Sequence, residues 1–167
     1  MTPLPLRADV DGHAVSWNVG RAGHADTLGV VVAAQELLLE LGATPPPAQA
    51  LAQTVRELLD DDGAGALLVA RTDRDVIGLL GASWQLAIHV PGQYATIQDL
   101  WVHPAWRSRS VGRELVTALV DACRARGITR IEVGLPRDGF RALEATEAFY
   151  LDNGFTPLGP RMRRVLT

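Results

Sequence analysis

The sequence predicts a mixed α/β fold, and three patterns carry that prediction. Strand-like runs at 66–70, 76–90 and 94–102 follow one another across short turns, which makes a mostly antiparallel sheet. A strand, a loop, a helix and a further strand then occupy 94–135, a βαβ unit of the kind that needs a right-handed crossover and a parallel pair. Helical stretches lie before residue 63 and after residue 141. At 167 residues the chain has the length of one ordinary domain, and a single domain over 1–167 is expected.

The elements follow in order. His13 to Val19 alternates loosely and is the first strand candidate. Asp26 opens a helix in which Leu28, Val31, Val32, Leu38 and Leu39 recur at helical spacing, and Gly42 closes it. TPPP at 44–47 breaks the chain, after which Leu51, Val55, Leu58 and Leu59 form the apolar stripe of a second helix. Asp60, Asp61 and Asp62 end that helix before Gly63. Acids suit a helix C-terminus poorly, so these carboxylates are expected to be solvated.

ALLVA at 66–70 and VIGLLGASWQLAIHV at 76–90 are strands joined by RTDRD, and PGQ at 91–93 is a turn. Tyr94 to Val102 alternates, with Ala95, Ile97, Asp99 and Trp101 on one side and Thr96, Gln98, Leu100 and Val102 on the other. His103-Pro104 stops this strand. WRSRS leads into a helix carrying Val111, Leu115, Val116, Leu119 and Val120, closed by Gly127, and IEVGL at 131–135 is the next strand. A final helix covers about 141–152 and stops at Asn153-Gly154. Short strand candidates at 155–158 and 162–166 flank a Gly159-Pro160 turn.

Composition narrows the chemistry. All 16 residues in the Lys+Arg count are arginine, which excludes a lysine Schiff base and a P-loop lysine. The single cysteine, Cys123, excludes an internal disulfide and a cluster of thiolate zinc ligands, and a cytoplasmic location is expected. No apolar run reaches the roughly 18 residues of a membrane span, and the start, MTPLPLRADVDG, lacks the basic-then-apolar order of a signal peptide. A net charge of -3 argues against general nucleic-acid binding. The charge is uneven: residues 1–75 hold 11 acids against 5 arginines, residues 76–106 hold only Asp99, and residues 107–141 hold 8 arginines against 4 acids. That basic segment suggests a local anionic partner, with a solvated helix face as the plain alternative.

LWVHPAWRSRSVGRELVTALV at 100–120 is the most informative segment. A loop ending at a helix N-terminus directs unpaired N–H groups outward in a positive field. With Arg107, Arg109 and Arg113 close by and Gly112 permitting close backbone approach, a pyrophosphate suits it. RSRSVG at 107–112 resembles the Arg/Gln-x-x-Gly-x-Gly/Ala acyl-CoA loop of the GNAT superfamily of N-acetyltransferases, and AFYLDNGF at 148–155 is similar to that family's Phe-Tyr-x-x-x-Gly-Phe segment. The resemblance covers about residues 66–158. Two departures stand out: Ser110 replaces the loop's usual first glycine, and Leu143 replaces an asparagine common seven residues before the tyrosine.

The resemblance implies a GNAT-like acyltransferase fold with helices on both sheet faces and a splayed parallel pair, where Leu100, Trp101 and Val102 offer backbone groups to pantetheine amides. It implies acetyl-CoA as cosubstrate, with Arg107, Arg109, Ser110, Val111, Gly112 and Arg113 at its phosphates. Acetyl transfer to a primary amine by direct attack needs a neutral amine, oxyanion stabilisation and a proton for the thiolate. Tyr150 stands at the family's general-acid position, where a phenol of reference pKa about 10 stays protonated; the alternative is a core tyrosine at a helix end. Asp99 lies where relatives place a carboxylate that binds or deprotonates the amine, the alternative being an ion pair or solvated carboxylate.

Glu132 is a weaker candidate, with a cross-strand ion pair as its alternative. Trp84 and Trp101 either wall an acceptor pocket or pack in the core. His103 reads as structural, His89 as weaker still, and none of the histidines at 13, 24, 89 and 103 has metal-ligand spacing with a third ligand nearby. Cys123 reads as packing. The acceptor is a small-molecule or peptide amine, no metal is implied, and a homodimer is an expectation of the family. The rival readings are transfer of another acyl group or to a hydroxyl, and a non-catalytic acyl-CoA-binding sensor or partner domain.

Overall fold

A computed structural model describes residues 6–8, 14–159 and 162–164. The chain divides into two compact units, Met1–Glu132 and Val133–Thr167.

In the first unit, β1 (Leu6–Ala8) and β2 (Ala14–Val15) form a two-stranded ribbon. The main sheet has five strands in the order β3 (Asn18–Arg21), β4 (Gly65–Arg71), β5 (Val76–Ala87), β6 (Val90–Val102) and β7 (Ile131–Val133). The ladders from β3 to β6 are all antiparallel. β7 is reached through the crossover helix α3 (Val111–Ala125), the connection that parallel neighbours require, and completes the mixed sheet beside β6. The first strand candidate is therefore displaced toward Arg21, and His13 lies outside the described residues.

Helices α1 (Thr27–Glu40) and α2 (Ala48–Asp60) pack on one face, where Val30, Val31, Ala33 and Val55 meet Leu67, Val69, Leu79 and Trp101 in one core. α3 packs on the other. Two glycines, one in β5 and one in α1, show how closely both helical layers approach that strand: a Cβ on Gly78 would lie 3.0 Å from the Leu115 and Val111 side chains of α3, and one on Gly29 of α1 would lie 2.6 Å from Val76. Leu80, Leu115 and Leu119 are fully buried.

Asp26 precedes α1 as expected, but its carboxylate accepts the Gly23 N–H at 2.8 Å and pairs with Arg71 at 3.3 Å, capping the preceding 3₁₀ turn and not the helix. The acid run is exposed but not simply solvated: Asp60 meets His24 at 3.0 Å, Asp61 accepts the Gly63 N–H, and Asp62 pairs with Arg21. The expected turn at 91–93 is corrected. The chain reverses at Ile88-His89, and Pro91-Gly92 form an irregularity inside β6, between the pairs Leu86↔Gln93 and Ala87↔Val90.

The second unit contains α4 (Leu143–Asp152). Asn153 and the left-handed Gly154 (φ 84°) end it as the sequence suggests, with the Phe155 N–H donating to the Tyr150 carbonyl at 3.0 Å. No strand forms at 155–158 or 162–164, and residues 160, 161, 165 and 166 lie outside the described residues.

Candidate active site

The end of β6 builds the basic loop. His103 Nδ1 accepts the Ala105 N–H at 3.2 Å, capping the 3₁₀ turn Pro104–Trp106, and its ring stands edge-on to Trp101 at 5.8 Å. His103 is thus a structural residue, and Trp101, 5% exposed, belongs to the core. Beyond the turn, Ser108 and Ser110 both adopt left-handed backbone (φ 59° and 65°). Left-handed residues interleaved in a turn bring successive N–H groups toward one side, the arrangement of an anion-binding nest. Ser110 is the N-cap of α3 and makes no side-chain cap, so the N–H groups of Val111, Gly112 and Arg113 have no intrahelical acceptor.

The loop's three arginines are used differently. Arg107 donates through Nε to the Val102 carbonyl at 2.9 Å and through Nη2 to Glu40 Oε1 at 2.5 Å. Glu40 Oε1 also accepts the Trp101 indole N–H at 3.2 Å. One carboxylate at the end of α1 therefore ties the loop to strand β6. Arg109 lies over the Trp106 ring at 5.7 Å, and neither it nor Arg113 has an ion-pair partner among the described residues. Within the loop, their guanidiniums are the ones that carry no carboxylate counter-charge among the described residues.

Along β6, the His103 N–H donates to the Ile77 carbonyl at 2.9 Å. Alternation then turns the N–H and C=O of Trp101 toward β5 and those of Leu100 and Val102 away from it. Of the three residues expected to offer backbone groups to an extended ligand, only Leu100 and Val102 face outward, and Arg107 already holds the Val102 carbonyl. β7 is three residues long against thirteen for β6, and the tie between the Ala95 N–H and the Arg130 carbonyl (2.9 Å) sits near the start of β6. The last residues of β6 therefore have no strand neighbour on that side among the described residues.

The expected alternation of β6 breaks at one residue. Gly81 pairs with Asp99 while Ala82 pairs with Ile97, so Gln98 is a β-bulge. Cross-strand partners share a face, and the bulge places Asp99 and Trp101 with Gly81 on the α1/α2 face while Ile97 and Ala95 turn to the α3 face. Glycine at 81 leaves the gap that Asp99 occupies: a Cβ there would lie 3.3 Å from Asp99 Oδ2. Burial raises the Asp99 pKa above 3.8, and its carboxylate has no hydrogen bond or ion pair among the described residues.

The remaining candidates have ordinary roles. Glu132 faces Arg130 at 3.9 Å. Trp84 donates its indole N–H to the Asp62 carbonyl and carries Arg126 over its ring at 5.2 Å. His89 is exposed in the hairpin turn. Cys123 is buried, its thiol pushed up to about 11 by burial. No group of three His, Cys, Asp or Glu side chains able to hold a metal occurs among the described residues, and none of their helices is long and apolar enough to cross a membrane.

In the second unit, Tyr150 is buried in α4 with Phe149 and Phe155 edge-on at 5.2 Å each. Burial pushes its phenol up to about 12, so the hydroxyl keeps its proton at any physiological pH. Leu143 is the first residue of the same helix, where the family's asparagine is absent.

Residues 35–155 match the acetyltransferase (GNAT) family, an interval that contains both the loop and the Tyr150 helix. The chain belongs to this family. It is 33% identical over 102 residues to a mycothiol acetyltransferase of Beutenbergia cavernae, covering 60% of this chain and 28% of that protein. It is also 33% identical over 95 residues to an IAA acetyltransferase of Azospirillum brasilense, covering 56% of this chain and 60% of that protein. Both matches thus span less than two thirds of the relative. An aminoglycoside N-acetyltransferase solved in complex with CoA superposes with a TM-score of 0.76 at 15% identity, over 92% of this chain and 97% of that one, a likeness of fold.

The structure adds residues that the sequence did not mark. Glu40 had one signal, an acid at a helix C-terminus, where it is unfavourable without a cation. The bulge at Gln98 had none.

Proposed function

We propose that the chain is a single acyltransferase domain over residues 1–167 that transfers an acetyl group from acetyl-CoA to a primary amine by direct attack. The observation that carries this is the Ser108–Arg113 loop, whose two left-handed residues, uncapped helix N-terminus and unpaired Arg109 and Arg113 suit a pyrophosphate. The family match supports one domain, because it runs through both compact units. Acetyl-CoA supplies the activated acyl group. The outward Leu100 and Val102 N–H groups and the Leu100 carbonyl suit the amides of its arm, and Arg107 sets the loop's position through Glu40.

Asp99 receives the acceptor. A carboxylate without a cation partner, in a gap kept open by Gly81, holds an ammonium and takes a proton as the amine becomes the nucleophile. The new C–N bond forms as the C–S bond breaks; Tyr150, kept neutral by burial, gives its proton to the departing sulfur, the second proton leaving the nitrogen restores the Tyr150 phenol, and the proton on Asp99 passes to water as the products depart. Tyr150→Phe tests this step: kcat should fall by about 10²-fold, as for loss of a general acid, with acetyl-CoA affinity changed little. Unchanged turnover would remove Tyr150 from the mechanism.

A further inference from the structure

The α1/α2 face of the sheet changes character at Asp99. On one side of it the next residues are Leu67, Leu79 and Trp101, filled in by Val30, Val31 and Val55 of the helices. On the other side the cross-strand pairs are Ser83↔Thr96 and Gln85↔Tyr94, and every side chain is polar and uncharged apart from the Tyr94 ring. An acceptor held by Asp99 meets core in the first direction, so its body lies over the second.

Those side chains form a chain of hydrogen bonds. The Tyr94 hydroxyl donates to Gln85 Oε1 at 2.9 Å, Gln85 Nε2 donates to Ser83 Oγ at 3.2 Å, and Gln98 Nε2 donates to the same Ser83 Oγ at 2.9 Å. The bulge delivers Gln98 to this junction. Two N–H donors fill the acceptor capacity of Ser83 Oγ, so its own O–H is left to donate outward. Gln98 Oε1 accepts nothing among the described residues. Beside them Thr96, 1% exposed, has a buried Oγ1 with no hydrogen-bond partner, a defect that native proteins rarely leave unexplained.

We propose that this Ser83–Gln98 junction is an acceptor-specificity site, selecting amines that carry a hydroxyl or amide group near the nitrogen over alkyl or aryl amines. The inference rests on the transferase reading. Ser83 and Gly81 are two residues apart, about 7 Å along the strand, so a neutral group a few bonds from the reacting nitrogen reaches the Ser83 O–H and the Gln98 carbonyl while the nitrogen sits at Asp99. An alkyl chain in the same place strips water from both without replacing its hydrogen bonds.

The test compares matched acceptors, serinol against isopropylamine and glucosamine against cyclohexylamine, by kcat/KM in the wild-type protein, Ser83→Ala and Ser83→Thr. The readout is the change in each pair's ratio between proteins, in which the amines' own basicities cancel. Ser83→Ala should lower the hydroxylated-to-alkyl ratio about five- to tenfold, the size of one neutral hydrogen bond, and Ser83→Thr, which keeps the hydroxyl, should restore it. Ratios that stay the same in Ser83→Ala while acetyl transfer continues overturn the specificity site and leave the transferase reading standing. Acetylation of none of the four amines, with no acetyl-CoA binding, overturns both.

Discussion

The two ends of the β6 site are specified in different ways. At the C-terminal end, everything proposed to attract an anion is contiguous: Ser108, Arg109, Ser110 and the first N–H groups of α3 follow one another along the chain. At the middle, Asp99 depends on a bulge at Gln98, a gap at Gly81 and side chains from the neighbouring strand. The first is a property of a segment, and the second exists only in the folded register. Changes in one should therefore alter acetyl-CoA binding, and changes in the other should alter acceptor use and stability.

The largest expected effect comes from Asp99→Asn, with kcat/KM for the amine falling about 10²-fold. Burial raises the Asp99 pKa above 3.8, so the folded state holds this proton to higher pH than the unfolded chain does. Stability consequently falls as pH rises from 3.8 through the raised value, and at neutral pH burying this group is a net cost to folding. Asp99→Asn removes that cost, so its melting temperature at pH 7 should exceed the wild type's, and the acid limb of the wild-type kcat/KM profile should lie above pH 3.8. Weaker acetyl-CoA binding in this variant would erase the distinction between the two regions.

Glu40→Ala is the next largest. Freed from Glu40, the Arg107 guanidinium keeps only the Val102 carbonyl and the Trp101 N–H loses its acceptor. KM for acetyl-CoA should rise about tenfold, as for one charge-assisted hydrogen bond, with kcat changed less; Glu40→Gln should fall between. A loss confined to kcat would show that Glu40 serves the chemistry and not the loop.

Ser110→Gly is the smallest. A left-handed non-glycine residue costs about 1–3 kcal/mol, and glycine's greater unfolded-state freedom returns about 0.5–1 kcal/mol of that. A net gain of about 1 kcal/mol should raise the melting temperature by about 2–4 °C. A lower melting temperature would mean that the Ser110 side chain contributes more than its backbone costs.

The same division explains what could be read from the sequence. The loop was legible because its determinants are adjacent, and Gly42, Gly127 and Gly154 marked helix ends because each takes a positive φ there. The reversal at Ile88-His89 was hidden by Pro91-Gly92, which carry turn residues into a strand irregularity. The bulge was hidden because Ala95, Ile97, Asp99 and Trp101 form a regular alternation that one inserted residue divides between two faces. Glycine at 81 and serine at 83 acquire meaning only opposite Asp99 and Thr96. Ser110 was legible as a departure from the family's loop, but the reason glycine is favoured there, a φ of 65°, came from the fold.

The most direct measurement is isothermal titration of acetyl-CoA into the wild-type protein, Asp99→Asn and the Arg109→Ala, Arg113→Ala double variant. The transferase reading predicts one site per chain, weakened about tenfold or more in the double variant and little changed in Asp99→Asn. No binding heat with the wild-type protein at millimolar acetyl-CoA would contradict it.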